Sequence, residues 1–418
     1  MTAAAQRTGR AFPWFVVIAL LTASLTLRAP ILAVTPVLRD IERAFGVDAT
    51  TVSLLTTLPI LMFAAVTPIA ALVIRRAGAE IALLVCLSAT VVGTLLRVIP
   101  GFGWMLTGMI VIGAGITIGN VVVPVIIRRD VPPGQVAAVT AGYAALLNVG
   151  SLIVTLGTAP LARQIGWSAA ILSWIWITLL GLVLWLLHMW RDRVPGETWA
   201  ERYSGESGGA AASAREDIVL TGPVPTVSGD RSLLRRPIVW LLVATFCCQS
   251  AGYYALSTWL PTLIGETTGS DATQAGAFAS IFQGAGIVGA LLVPLLAHRL
   301  PIAAPAAVVS ACWLGLSAGL LFAPDLFLLW TAVGGVAHGG GFVVVITVLV
   351  KNARTDAEAG AGSALVQGGG YVFGALGAPV IGAVHEATGG WTAPLGVTLS
   401  LAAGFTVFLA SAIVVSRR

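Results

Sequence analysis

Residues 13–36 read PWFVVIALLTASLTLRAPILAVTP, and this stretch decides the class of the chain. Pro13 to Leu27 carries no charge, and Arg28 is the single charged side chain of the run. A helix needs about 20 mainly apolar residues to cross the hydrocarbon core of a bilayer. The run meets that length and reads as a membrane span. Eleven more follow, at 50–74, 79–98, 103–128, 135–162, 168–190, 236–263, 272–298, 302–322, 326–351, 358–384 and 391–415.

The composition agrees. Of 418 residues, 57% are hydrophobic and 10% charged, where soluble domains carry about a quarter charged residues. The chain cannot dress a globular surface in water, which excludes an ordinary soluble enzyme. The net charge of +5 does not point to nucleic acid, because the basic residues sit in scattered pairs at the ends of apolar runs and form no basic stripe. Cys86, Cys247, Cys248 and Cys312 lie inside apolar runs and read as small buried side chains. No cleavable leader is expected, since the first apolar run continues past about 20 residues.

The loops predict an orientation. With the N-terminus in the cytoplasm, 18 basic residues fall on the cytoplasmic side and four, Arg39, Arg43, Arg97 and Arg163, on the other. That asymmetry follows the positive-inside rule and places both termini inside. Residues 191–235 are rich in Gly, Ser, Ala and mixed charge, and read as a linker. The linker separates an N-terminal unit, 1–190, from a C-terminal unit, 236–418. The units share a pattern. Gly113, Gly119, Asn120 and the following valines precede Arg129-Asp130, and 222 residues later Gly335, Gly341, Phe342 and further valines precede Lys351-Asn352. The expected fold is an all-α integral membrane protein, its twelve helices forming two pseudo-symmetric six-helix bundles around a central path.

Several chemistries are excluded. The only lysine, Lys351, is followed by Asn352, so there is no phosphate-binding loop and no ATP-driven motor. His188, His298, His338 and His385 are far apart and offer no metal pair at helical spacing. No nucleophile–base motif stands out, and neither cofactor nor metal is expected. All 18 acidic residues fall in loops or at span ends, which argues against a simple proton symporter with an intramembrane carboxylate.

Arg28 stands out against this background. It lies about 22 Å along the first helix, counted from Pro13. An arginine at such depth costs about 2.5–3.5 kcal/mol on insertion scales, and intramembrane ionisable residues are usually functional. Pro30 removes a helix donor, so the helix should bend near the charge. Ser24, Arg28, Ile31 and Thr35 recur at helical spacing and predict a part-polar stripe facing a cavity. The functional interpretation is a fixed fork for a small, flat anion; the structural one is a guanidinium satisfied by carbonyls of neighbouring spans.

Candidate partners of Arg28 are Asn120 and Tyr143 in the fourth and fifth spans, with Gln249, Tyr253 and Trp259 in the seventh. Gln283 in the eighth and Gln367 and Tyr371 in the eleventh complete the set. Aromatic faces and amides suit a small planar molecule, and interhelical hydrogen bonding is the structural alternative for each. Asn148, Ser151 and Thr155 form a further polar stripe in the fifth span. His338 sits among Gly334, Gly335, Gly339, Gly340 and Gly341. It is the candidate for proton coupling or for gating at a glycine bend, against a packed neutral histidine.

Leu27-Arg28-Ala29-Pro30 with Pro36-Val37-Leu38 and Ile41 resembles the first-span signature of the cyanate/2-nitroimidazole (CynX/NimT) group of major facilitator transporters. Gly115 to Pro124, followed by Ile127-Arg128-Arg129-Asp130-Val131-Pro132, is similar to that group's fourth-span signature, and Thr140-Ala141-Gly142-Tyr143 to its fifth. Thr26 departs from the group's usual Asn, and Arg128 from its Lys. The loop Arg75-Arg76-Ala77-Gly78-Ala79-Glu80 lacks the aspartate usual in the superfamily. The resemblance implies a secondary transporter of the inner membrane that moves a small anion or planar polar compound by alternating access. It also implies Arg28 as the main substrate contact. The expected partners are that small molecule, the lipid bilayer and, through His338, protons; nucleic acid is excluded and a monomer is expected. The rival functions are a broad drug exporter and a non-transporting receptor or scaffold.

Overall fold

The structure, a computed structural model, describes residues 13–132, 135–191, 235–353 and 356–416. Twelve described helical stretches are long and apolar enough to cross a membrane. They are Trp14–Phe45, Ala49–Thr67, Arg76–Leu96, Phe102–Asp130, Gly142–Ile165, Trp167–Arg191, Pro237–Thr268, Ala272–Arg299, Ala303–Phe322, Pro324–Asn352, Gly362–Thr388 and Thr392–Val415. The spans fall where the apolar runs predict them. The linker expected over 191–235 lies almost wholly outside the described residues.

Rows of large apolar side chains face outward. Trp176, Leu180, Val183 and Trp190 on the sixth span are exposed, as are Val288, Leu291 and Leu295 on the eighth. Apolar rows of this size need cover, which a bilayer supplies. The spans begin and end on two faces: a terminal face, near Trp14 and Val415, and a distal face opposite.

Local chemistry places the distal turns. Gly46-Val47-Asp48-Ala49-Thr50 joins the first two spans, and Gly269-Ser270-Asp271-Ala272-Thr273 joins the seventh and eighth. Gly46 and Gly269 adopt left-handed φ of 62° and 67°, which ends a helix without strain only for glycine. Asp48 and Asp271 then cap the next helices, accepting from the backbone N–H of Thr51 at 2.6 Å and Gln274 at 2.9 Å. The two turns are 223 residues apart, so the repeat found in the fourth and tenth spans extends to their neighbours.

Close packing follows the 222-residue register of the glycines. Gly113 lies against Pro59 of the second span, and Gly335 against the Phe282 carbonyl of the eighth. Gly119 lies against Leu27 of the first span and Gly341 against Gln249 of the seventh, residues again 222 apart. The glycines around His338, where a bend is expected, lie within one α-helix, Phe327–Asn352. Gly339 packs on the backbone of Gly286, and Gly289 on the carbonyl of Val336. Missing side chains on both helices let backbones touch, and that contact supports the helix instead of loosening it.

Candidate functional site

The first span is interrupted at the charge. The helix Trp14–Thr26 ends at Leu27, whose N–H turns back to the Ser24 carbonyl. Arg28 leaves helical geometry with φ −141° and ψ −33°. A short helix, Ala29–Leu32, and a 3-10 turn, Thr35–Val37, follow before Leu38–Phe45. Pro30 and Pro36 each stand in the first turn of the new segment, where a missing N–H does least harm. The bend expected from Pro30 is therefore a break.

The break also corrects the expected polar stripe. Ser24 and Thr35 are buried, and their hydroxyls return to the carbonyls of Leu20 at 2.7 Å and Leu32 at 2.9 Å. Short hydroxyls find acceptors on their own chain, and helical spacing does not carry across the interruption.

Arg28 is half-buried. Its Nη1 donates to Asn148 Oδ1 at 3.2 Å, and its Cζ lies 5.5 Å from the centre of the Tyr253 ring. Tyr143, Tyr253, Tyr254 and Tyr371 all lie within electrostatic reach. Among the described residues no carboxylate pairs with it. The guanidinium is thus held by one neutral amide oxygen and by one aromatic face, leaving donors of its fork for something else.

The wall opposite is built by the seventh, eighth and tenth spans. Tyr253 and His338 stack with centroids 3.7 Å apart, and Phe282 lies 5.8 Å from His338 at an interplanar angle of 25°. Tyr253, Gln283 and His338 are 4%, 3% and 8% exposed. Among the described residues, Tyr253 Oη, Gln283 Oε1 and His338 Nδ1 have no hydrogen-bond partner. Buried polar atoms are normally satisfied, so three orphans on one wall beside a cation mark a place that a polar molecule can complete. The Gln283 amide nitrogen donates to Ser257 Oγ at 3.4 Å.

The other expected residues divide. Tyr143 Oη donates to Asn120 Oδ1 at 3.4 Å, joining the fourth and fifth spans near Arg28. Tyr371 stands edge-on to Phe63 of the second span and Phe246 of the seventh, so it bridges the two sequence halves. Gln367 is buried one turn before Tyr371. Gln249 is occupied within the last six spans: its amide nitrogen donates to the His338 carbonyl at 3.0 Å and its oxygen accepts from the Trp313 indole at 3.3 Å. Trp259 donates to the Ala378 carbonyl at 2.8 Å. It lines a cleft of about 400 Å³ at the distal face, with Arg39, Glu42, Glu266, His385 and Glu386, rather than the wall beside Arg28.

Polar ties between the two sequence halves gather at that distal face. Arg39 pairs with Glu266. Arg163 pairs with Asp271 at 2.6 Å. Glu386 accepts from the Ala49 N–H at 2.5 Å and from Thr50 at 3.2 Å. Thr258 donates to Thr56 at 3.0 Å just beneath. At the terminal face the described ion pairs stay within a half: Arg129 with Glu80 and Asp130, and Arg236 with Glu358. The described ties therefore clasp the distal end.

One buried cation escapes the sequence. Arg97, at the end of the expected third span and counted with the basic residues of the non-cytoplasmic side, is 2% exposed and donates to the carbonyls of Pro30 at 2.6 Å and Ile171 at 3.2 Å. The signal was its apolar setting: Leu95, Leu96, Val98 and Ile99 flank it.

The profile of the Major Facilitator Superfamily matches residues 14–325. The chain belongs to that superfamily. It is 31% identical over 375 residues to the 2-nitroimidazole transporter of Escherichia coli (strain K12), covering 88% of each chain. It is 23% identical to the cyanate transport protein CynX of the same organism, covering 88% of this chain and 89% of that one. The fold matches a bacterial homolog of the human lysosomal transporter Spinster, in an inward-facing and occupied conformation, with a TM-score of 0.68. That match has 15% identity and covers 98% of this chain and 96% of the other. This superfamily member is a multi-pass membrane transporter resembling the CynX/NimT group.

Proposed function

We propose that this transporter moves a small anion or small planar polar compound, cyanate-like or nitroimidazole-like, across the inner membrane by alternating access. Units 1–190 and 236–418, each a six-helix bundle, rock about the Arg28 site, and 191–235 links them on the cytoplasmic side with both termini. The protein acts as a monomer. One observation carries the proposal: a half-buried Arg28 with a single neutral amide partner lies over the Tyr253 ring, and Tyr253, Gln283 and His338 of the opposite half each hold a buried polar atom with no partner among the described residues. A flat anion fits this arrangement, because the guanidinium fork binds planar acceptors side-on and the Tyr253–His338 stack offers a face. Bridging the halves favours a closed state only through such differential contacts. The names of the relatives support the substrate class. The distal clasp supports entry and exit from the terminal face in this state.

Counterflow in proteoliposomes tests the proposal, with labelled cyanate and 2-nitroimidazole as separate probes. Saturable exchange of either is expected. Binding without flux would make the protein a receptor, and inhibition only by bulky hydrophobic cations would make it a drug exporter. Comparing the pH response of uptake in the wild type and in His338→Gln tests whether His338 also carries a proton.

A further inference from the structure

We propose that Arg97 is a positioning residue that clamps the broken first span and so aims Arg28 at the site. The inference rests on Arg28 as the substrate contact. Arg97 follows the last residue of the helix that ends at Leu96, and its side chain turns inward. Its two terminal nitrogens reach two different spans, one to the Pro30 carbonyl and one to the Ile171 carbonyl. Both acceptors sit at helix ends. Pro30 lies in the four-residue helix Ala29–Leu32, and Ile171 lies in Trp167–Ser173, just before the break at Trp174. Carbonyls at a helix end lack intrahelical partners, so a buried cation with a planar fork is suited to satisfy both at once.

The clamp reaches the Arg28 partner as well. Trp174 donates to Thr158 of the fifth span at 2.9 Å, and Ala29, Leu32, Ala33 and Val154 pack with Trp174. Asn148, which accepts from Arg28, lies on that same fifth helix. Arg97 thus ties together the segment after Arg28 and the spans that hold its amide partner. Its own place is set by glycine contact: a Cβ on Gly108 would stand 2.7 Å from the Arg97 backbone nitrogen.

The test is a double-mutant cycle on the purified full chain, read by titrating 2-nitroimidazole and cyanate, with thermal melts alongside. Arg97→Gln is expected to weaken binding about tenfold when Arg28 is present, and to add no further loss in Arg28→Ala, because contacts acting through one residue are not additive. Arg97→Lys should fold and fall between. Gly108→Ala keeps the guanidinium but displaces its backbone, and should weaken binding in the same direction. Wild-type affinity in folded Arg97→Gln would overturn the inference. So would an equal fold-loss with and without Arg28, or failure of both Arg97→Gln and Arg97→Lys to fold. If Arg28→Ala itself binds like the wild type, the Arg28 site falls and this inference falls with it. If Arg28→Ala loses affinity and Arg97→Gln does not, only the role of Arg97 falls.

Discussion

The first and seventh spans occupy equivalent places in the sequence repeat and are built in opposite ways. Leu27 and Gln249 each face a glycine of the fourth or tenth span, 222 residues apart. At that level the first span breaks and exposes a guanidinium with one amide partner. The seventh runs unbroken from Pro237 to Thr268, and its amide is satisfied on both sides by the His338 carbonyl and the Trp313 indole. A repeated scaffold therefore carries an unrepeated site. The first span leaves donors of its guanidinium unpaired, and at the equivalent level the seventh ties off the Gln249 amide. Variants of the first span should change function more than stability, and those at Gln249 the reverse.

The largest effect should come from Arg28→Ala. A lost charged hydrogen bond contributes about 1.5–3 kcal/mol, so affinity for the probe should fall roughly 10- to 100-fold. Its melting temperature should hold or rise, because a buried charge is removed. An unchanged affinity would erase the contrast between the spans. Gln249→Leu should lower stability by about 1–3 kcal/mol, since it strands a buried carbonyl and an indole N–H; thermal melts should report this, with affinity changing less. Tyr253→Phe removes a hydroxyl that has no protein partner. Its affinity should drop only a few-fold, about 1 kcal/mol, and its melting temperature should not move. A marked drop in melting temperature would mean that the hydroxyl serves the fold.

The smallest effect is at the distal clasp. The Gln274 backbone N–H, and then Arg163, hold the exposed Asp271 carboxyl below its ordinary range. A carboxyl lowered in the folded state contributes above its unfolded pKa, about 3.9, and loses that contribution as pH falls through the folded value. The stability difference between the wild type and Asp271→Asn should be constant from pH 5 to 8 and shrink below about pH 4.

Span positions were legible because apolar length is a direct physical demand of the bilayer. Arg28 and a departure from straight helix beside Pro30 were legible for the same reason, since charge and proline are both costly in a buried helix, though the bend expected there is a full break. The packing role of the tenth-span glycines was not legible, because glycine weakens an isolated helix yet permits backbone contact with a partner helix that the sequence does not name. Arg97 was missed because its depth depends on where the loop folds back. Trp259 lines the distal cleft, because one helical face continues past the Arg28 level towards that end. The turn pair Gly46-Val47-Asp48 and Gly269-Ser270-Asp271 was present in the sequence, and its spacing, one residue longer than that of the glycines, extends the repeat.

The most direct test of the central claim is counterflow of labelled 2-nitroimidazole and cyanate in proteoliposomes holding equal amounts of the wild type and Arg28→Lys. Lysine keeps the charge but loses the planar fork. The account predicts exchange by the wild type and loss of most of it in the lysine variant, with both proteins melting alike. Wild-type exchange by Arg28→Lys and by Arg28→Ala would contradict it.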